Sequence, residues 1–371
     1  MLINELPDDC LLAIFYRIQD LTDLVNCFKV CEKWSNLIVV RTKKVKYFMD
    51  QPNSPDSVYH LSDEPVDVTF LSKWFPNLRI FDASYPFSDK VPKEDIAKLI
   101  RDSESLKGIM CSVYSDFELN TNIEMLSTEF IDPKQIKINE TVKQLYLWNS
   151  SLGEFKKVAH YFPNLERVKI ELRNLLDYVA YGSDGSVLEN LKIVESAEYA
   201  GECCSFIFMD LCPALQSAHI KIACWHINVN DSIKLASLQD LVIQFYEPKG
   251  WYALPRCMSK YPNLKHLAIR NAYLSDEDIK KLVLILPKLT LLDIRESHGV
   301  TQEAADHVKV YCKQHGRSIK FYFKKDDKQI ESDWPQILNQ PEKICRGFDF
   351  MEHCFFKSFD NLPDLLDPAG D

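Results

Sequence analysis

Glycine is scarce in this chain of 371 residues: it occurs ten times, and no spacing among the ten gives GxGxxG, GxxxxGK[ST] or GxSxG. The common nucleotide and hydrolase sites need those glycines, because the backbone must turn sharply or approach the ligand closely. No apolar run approaches bilayer-spanning length, and the first residues lack a basic segment followed by an apolar core. We therefore expect neither a common nucleotide enzyme nor a membrane contact, and we expect a cytoplasmic or nuclear location.

Positive charge is also in deficit, since 44 Lys and Arg stand against 54 Asp and Glu for a net charge of −10. A chain whose main role is to neutralise phosphate backbones would show the opposite balance, so we expect no nucleic-acid partner. The twelve cysteines include no CxxC pair and no zinc-type spacing, which predicts buried, reduced thiols and no metal or other cofactor. No histidine and carboxylate set has a catalytic spacing, so we expect no catalytic site.

The first fifty residues predict three short helices. Pro7, Asp8 and Asp9 are suited to a helix start, and Leu11 and Ile14 begin an apolar stripe at helical spacing. About 45 residues cannot bury so many large apolar side chains, so part of the stripe should remain exposed. Two interpretations remain open: the helices dock onto another protein, or they cap the domain that follows.

Three segments of this region resemble the F-box, whose usual pattern is LPxEIL..IF...L, DL, VC..W. They are Leu6 to Phe15, Asp23-Leu24 and Val30 to Trp34, within a match of about residues 4 to 45. The resemblance implies a module that binds the Skp-type adaptor of a cullin-based ubiquitin ligase. The positions that would face the adaptor are Leu6, Pro7, Leu11, Ile14, Phe15, Val30 and Trp34.

Beyond residue 65 one apolar pattern returns every 23 to 36 residues, for example as Leu165..Val168.Ile170 and Leu264..Leu267.Ile269. Helical segments lie between the copies, and a proline often separates helix from strand. The array resembles leucine-rich repeats of the kind that follows F-boxes. We predict an α/β fold: a horseshoe solenoid of about nine to ten units with a parallel sheet and convex-side helices, preceded by an all-α three-helix module.

The predicted domains are a helical module at 1–49, a linker at 50–65, the repeat array at 66–323 and a tail at 324–371. From residue 326 onward the tail contains 11 acidic and 4 basic residues, and its many aromatic residues argue against simple disorder. We expect it to cap or cross the array.

One face of the predicted sheet should present side chains away from the core, because side chains alternate along each strand. Two hypotheses follow: this mildly basic face grips an acidic or phosphorylated segment of a target protein, or the protein's own acidic tail occupies it. The candidate target-binding residues are Tyr146, Trp148, Lys169, Lys192, His219, Lys221, Arg270 and Arg295.

These features together predict the substrate receptor of a Skp/cullin/F-box ubiquitin ligase, which binds the adaptor through its first helices and a protein marked for degradation through its repeats. The rate gain would come from proximity rather than from a catalytic site in this chain. The alternative is a repeat scaffold whose first helices are only a cap. An enzyme with an unrecognised site is the least favoured interpretation.

Overall fold

A computed structural model describes residues 3–50, 54–60, 67–113, 122–172, 184–199, 202–224, 226–250, 252–338 and 342–369. The chain divides into two compact units, Met1–Ile136 and Lys137–Asp371. The domain boundaries given above remain a prediction. Within the described residues, no helix has both the length and the apolar character required to cross a bilayer.

The first unit begins with the three predicted helices. Asp8 and Asp9 lie in the first turn of the first helix, and the Asp20 side chain caps the second by accepting from the backbone N–H groups of Thr22 and Asp23. The helices of this unit are α1 (Asp8–Phe15), α2 (Leu21–Phe28), α3 (Glu32–Thr42), α4 (Leu71–Trp74) and α5 (Lys93–Asp102).

Five strands of the first unit pair in parallel, in the order β5-β4-β3-β1-β2. They are β1 (Tyr47–Phe48), β2 (Ser57–Val58), β3 (Ile80–Asp82), β4 (Gly108–Val113) and β5 (Met125–Phe130). Strand β2 lies inside the predicted linker at 50–65, where Ser57 and Val58 pair with β1. Residues 51–53 and 61–65 of that linker lie outside the described residues.

Strand β5 was not predicted, and it explains the irregular step between Leu106 and Val142. Its pairing with β4 aligns Leu126 with Ile109 and Thr128 with Cys111. The repeat pattern missed this strand because a threonine takes an apolar position, where its hydroxyl donates to the Ser112 carbonyl at 3.2 Å.

The second unit repeats strand and helix. Its main parallel sheet has the order β15-β14-β13-β12-β10-β8-β7-β6, and β9 pairs with β11. The strands are β6 (Gln144–Trp148), β7 (Arg167–Glu171), β8 (Ile193–Glu198), β9 (Glu202–Cys203), β10 (Ser217–Ile222), β11 (His226–Ile227), β12 (Asp240–Gly250), β13 (His266–Tyr273), β14 (Leu291–Asp293) and β15 (Lys320–Tyr322). The helices are α6 (Leu152–Val158), α7 (Ser205–Met209), α8 (Leu254–Met258), α9 (Asp276–Ile285), α10 (Gln302–His315) and α11 (Gln329–Asp333).

The strand register moves one predicted repeat by three residues. Strand β7 pairs Val168 with Val194, so this repeat begins at Leu191 and not at Leu188. The error arose because Leu188, Leu191 and Ile193 imitate the repeat pattern, whereas the position that faces the core after Val194 is the small polar Ser196.

The repeat boundaries are joined by asparagine side chains in the Pro-Asn-Leu segments. Asn164 donates to the Glu140 carbonyl at 2.9 Å, and Asn263 donates to the Ala236 carbonyl at 2.8 Å. Each bond runs to the preceding repeat, so the asparagine connects neighbouring turns whose backbone carbonyls would otherwise lack a protein partner. Helix α9 begins with a capping box, in which the Ser275 side chain accepts from the Asp278 N–H and the Asp278 side chain accepts from the Ser275 N–H.

The end of the chain folds into what we call the C-terminal lobe, residues 342–369. Strands β16 (Ile344–Arg346) and β17 (Leu365–Asp367) pair in parallel and close it. A π-helical turn at Met351–Phe355 and a 3-10 turn at Phe359–Asn361 lie between them. The lobe packs across the sheet of the second unit, as predicted for the tail. Their shared apolar cluster includes Ile193, Ala197, Val242, Ala268, Leu291, Tyr322, Phe350, Cys354, Phe355, Phe359, Leu362 and Leu366.

Candidate functional site

An apolar surface lies on the helices of the first unit. Pro7, Cys10 and Ile14 are spaced by three and four residues, which places them on one side of α1, and all three are exposed. Ile14 is 43% exposed, and Val30, between α2 and α3, is 53% exposed. Covering the exposed part of these side chains would remove apolar surface from water, which is favourable.

Two of the residues predicted to face the adaptor are instead core residues. Leu11 and Phe15 are 0% and 1% exposed, and the Phe15 ring meets the Trp34 ring edge-on at 5.0 Å between centroids. The same helical stripe therefore serves two purposes: Leu11 and Phe15 hold α1 against the unit, and Ile14 stays outside. Leu6 and Trp34 are half-buried.

The start of α1 is fixed by a lysine from α3. Lys33 donates through Nζ to the Leu6 carbonyl at 2.9 Å and lies 3.2 Å from an Asp8 carboxylate oxygen. This contact holds the Leu6-Pro7 turn in place, so the exposed side chains of α1 are presented on a positioned helix.

The second predicted site is the face of the main sheet beneath the C-terminal lobe, which we call the sheet face. The strand pairings bring its side chains into register across β6, β7, β8, β10, β12 and β13. Its members, all buried, are Gln144, Tyr146, Arg167, Lys169, Ile193, Glu195, His219, Lys221, Val242, Gln244, Ala268 and Arg270. The lobe therefore covers the basic residues that the sequence assigned to target binding.

Acidic residues of the lobe pair with the lysines of this face. The Lys221 Nζ lies 2.6 Å from one Asp360 carboxylate oxygen and 2.8 Å from the other. The Lys169 Nζ lies 3.2 Å from Asp364 and donates to the Leu362 carbonyl at 3.1 Å. The second of the two hypotheses drawn from the sequence thus matches the structure, since the protein's own tail occupies the face.

Other side chains of the face bind the lobe through its main chain. Gln144 donates to the Leu366 carbonyl at 2.5 Å and accepts from the Leu366 N–H at 3.0 Å. The Gln244 oxygen accepts from the Phe359 N–H at 2.9 Å. Arg270 donates to the Phe355 carbonyl at 2.8 Å and to the Lys357 carbonyl.

Arg167 and Glu195 are functional candidates that the sequence analysis missed. They form an ion pair at 2.6 Å with both side chains fully buried, and Arg167 also donates to the Pro363 carbonyl at 2.8 Å. Arg167 stands two residues before Lys169, so strand alternation could have placed it on the same face. Glu195 was hidden by the misplaced start of its repeat.

His219 lies at the middle of the sheet face with 0% exposure. Its ring meets the Phe359 ring edge-on at 5.6 Å between centroids. Burial, and then the positive charge of Arg270, lowers the pKa of His219 well below its usual value of 6.5. The imidazole is therefore neutral at pH 7.

The remaining candidate residues lie apart from these lobe contacts. Lys192 is not on the sheet face, since its Nζ pairs with Glu166 at 2.7 Å. Arg295 is half-buried and makes a two-pronged ion pair with Asp293, with both N to O distances at 2.9 Å. Trp148 is also half-buried.

Tyr146 is buried on the face itself. Its hydroxyl donates to Glu171 at 2.8 Å, and Lys169 lies 4.2 Å above its ring. The ring therefore holds the stem of Lys169 in place beneath the lobe.

All described cysteines of the second unit except the half-buried Cys312 are buried. Burial raises the pKa of Cys224 and of Cys257 to about 12, so both thiols are protonated at pH 7. In the part of the chain that the structure describes, no three His, Cys, Asp or Glu side chains are grouped so that they could hold a metal ion.

Comparison with known proteins gives one family match. Residues 3–41 match the F-box-like family model. Comparison with curated proteins gives no match.

Among solved structures, the chain is similar to the TLR13–ssRNA13 complex, with 14% identity, a TM-score of 0.46, and coverage of 75% of this chain and 44% of that one. The mouse RP105/MD-1 complex is 11% identical with a TM-score of 0.37, and the match covers 68% of this chain and 49% of that one. An internalin from Listeria monocytogenes is 11% identical with a TM-score of 0.33, and the match covers 75% of this chain and 90% of that one. The chain thus spans less than half the length of the first two.

The family match and the strand register describe the chain at the level of the fold. An F-box-like segment at residues 3–41 is followed by strand-and-helix repeats whose parallel strands build an α/β, solenoid-like arrangement.

Proposed function

We propose that this protein is the substrate receptor of a Skp/cullin/F-box ubiquitin ligase. Its F-box-like domain would bind the Skp-type adaptor, and through it a cullin, while the second unit would bind the protein to be ubiquitinated. The chain itself would supply no catalytic group. Such a role belongs in the cytoplasm or the nucleus, where the ligase acts.

The exposure of Ile14 and Val30 is the observation that carries this proposal. Both are large apolar side chains in the segment that matches the F-box-like model. Their exposure supports a contact surface because a partner that covered them would remove apolar area from water. The covered sheet face does not compete with this role, because it belongs to the other unit.

The test is a pull-down of a purified Skp-type adaptor by the full chain and by an Ile14→Asp/Val30→Asp variant. We expect the wild type to bind, and the variant to bind at least about a hundredfold more weakly, because each aspartate puts an unpaired charge in the contact. Leu284→Asp/Val310→Asp is the matched control, since these apolar residues of the second unit are 60% and 53% exposed and should not affect adaptor binding.

One observation favours the alternative, in which the helices only cap the following repeats. The Phe28 ring of α2 meets the Trp74 ring of α4 edge-on at 5.3 Å, so the helical region does pack on the rest of its own unit. If the wild type fails to bind an adaptor that other F-box modules capture under the same conditions, the scaffold interpretation replaces the receptor one.

A further inference from the structure

We infer that the sheet face is the recognition site for an acidic segment of the target protein, and that the C-terminal lobe is a replaceable occupant built into the chain. This inference rests on the proposed function, because it names the chemistry that the receptor recognises.

The charge arrangement of the face supports an acidic ligand. The face carries four cationic side chains, Arg167, Lys169, Lys221 and Arg270, and the strand register places four carboxylates on it as well, Glu171, Glu195, Asp240 and Asp293. Arg167 is neutralised within the sheet by Glu195. In the lobe, Asp360 pairs with Lys221 and Asp364 pairs with Lys169. Asp360 remains 57% exposed in its side chain, so this ion pair is open to competition at the rim of the covered area.

The way the face binds the lobe is largely independent of the lobe's sequence. Gln144, Gln244 and Arg270 all bond to backbone N–H or carbonyl groups of the lobe. Every protein segment carries such groups, so a different segment could make the same bonds. Selection would then depend on the carboxylates and on the apolar anchors, which is the usual division of roles in peptide recognition.

The lobe covers the centre of the face with an aromatic side chain. The Phe359 ring meets the imidazole of His219 edge-on at 5.6 Å between centroids. A target segment that replaced the lobe would have to cover the same buried imidazole.

The lobe's own contacts describe what that occupant must present. Its deepest anchors are Phe355, Phe359, Leu362 and Leu366, at 0% to 4% exposure, and they enter an apolar floor made by small and aliphatic residues such as Ala197, Val242 and Ala268. A target segment would therefore carry large apolar side chains three to four residues apart, with carboxylates among them as Asp360 and Asp364 are.

The experiment adds a fluorescent synthetic peptide of residues 342–369 to the full chain and measures binding by anisotropy. In the full-chain variant Phe359→Ala/Leu362→Ala the resident lobe is loosened, so we expect it to bind the peptide at least about tenfold more tightly than the wild type does. Adding Lys169→Glu/Lys221→Glu to that variant should abolish binding. The control Leu284→Ala/Val310→Ala should behave as the wild type.

Three results would each overturn the inference. The loosened variant could bind the peptide no better than the wild type, or its binding could be indifferent to the two lysine reversals. Hydrogen exchange could also show that β10 and β12 lose protection in the loosened variant, which would make the lobe part of the core. Adaptor capture by the loosened variant is measured separately, so failure here is distinguishable from failure of the proposed function.

Discussion

The F-box-like helices and the sheet face contrast in which side chains they expose and which they bury. On the helices the apolar Ile14 and Val30 reach solvent, whereas on the sheet face polar and charged side chains such as Lys169, His219 and Arg270 are buried. Each arrangement is unfavourable unless something complements it. The sheet face finds its complement within its own chain, in the lobe, and the helices present Ile14 and Val30 to solvent.

The contrast also separates two kinds of recognition. An apolar surface on short helices is fixed by packing behind it, so it is ready for a partner as it stands. A buried polar face depends on the geometry of its cover, because an unpaired buried charge is costly. Substitutions in the second unit should therefore alter stability first, and substitutions at the exposed positions of the first unit should alter binding first.

The largest effect is expected from Arg167→Ala. It leaves the fully buried Glu195 without its ion pair and removes two donors to the lobe backbone, so we expect the free energy of unfolding of the second unit to fall by about 4 kcal/mol. Chemical denaturation followed by fluorescence measures it.

Arg256→Ala is the matched control for that prediction. Its ion pair with Asp231, at 2.9 Å, has both side chains about half exposed, and exposed pairs contribute about 0 to 1 kcal/mol. Equal losses in the two variants would contradict the claim that burial decides the strength of the effect.

The next largest effect separates neighbours on α1. Phe15→Ala should lower the free energy of unfolding of the first unit by about 3 kcal/mol, because it empties a fully buried site beside Trp34. Ile14→Ala should change it by less than about 0.5 kcal/mol, and should instead weaken adaptor binding.

Thermal unfolding and the adaptor pull-down, applied to both variants, check this pair. If Ile14→Ala destabilises the unit as much as Phe15→Ala does, then Ile14 is a core residue and the contact surface has been assigned to the wrong side of the helix.

The smallest effect is a pH dependence arising from His219. The charged groups near it include Arg270, Lys169 and Lys221 and its cross-strand neighbour Glu195, and the lobe carboxylates Asp364 and Asp360 pair with the two lysines. Folding lowers the pKa of His219, so below about pH 6.5 the unfolded chain takes up a proton that the folded chain does not.

Stability is therefore lost as the pH falls. At pH 5.5 this group should lower the free energy of unfolding by about 1.2 kcal/mol relative to pH 7, as long as it stays neutral in the folded chain. Denaturation of the wild type and of His219→Leu at both pH values measures the difference, and His226→Leu, at an exposed position, is the comparison. Parallel pH profiles for wild type and His219→Leu would show that His219 does not titrate on unfolding.

Local sequence patterns were sufficient to predict most helices and strands, but not which of their side chains remain exposed to solvent. The start and the buried side of helix α9 follow from Ser275, the acidic first turn and the spacing of Ile279, Leu282 and Val283, because those signals act within a few residues. Strand β5 and the start of the repeat at Leu191 were missed, because Thr128 and Ser196 occupy core positions that only strand pairing reveals.

The candidate sites show the same limit. Spacing alone could not distinguish Phe15 from Ile14, since both lie on the apolar side of α1 and differ only in what packs against them. Arg167 and Glu195 were invisible as a pair because they are 28 residues apart and meet through the register of β7 and β8.

The order of residues by itself determined the class of this protein: the F-box-like segment, the period of the repeats, and an acidic, aromatic end to the chain. All three are features of local composition and spacing, so they can be recognised without knowing which distant residues are in contact. Only the tertiary structure decided that the acidic end lies on the basic face, that Arg167 and Glu195 neutralise one another beneath it, and that Ile14 stays in solvent. Those outcomes depend on which surfaces are buried, and burial is decided by segments that are distant in the sequence and adjacent in the fold.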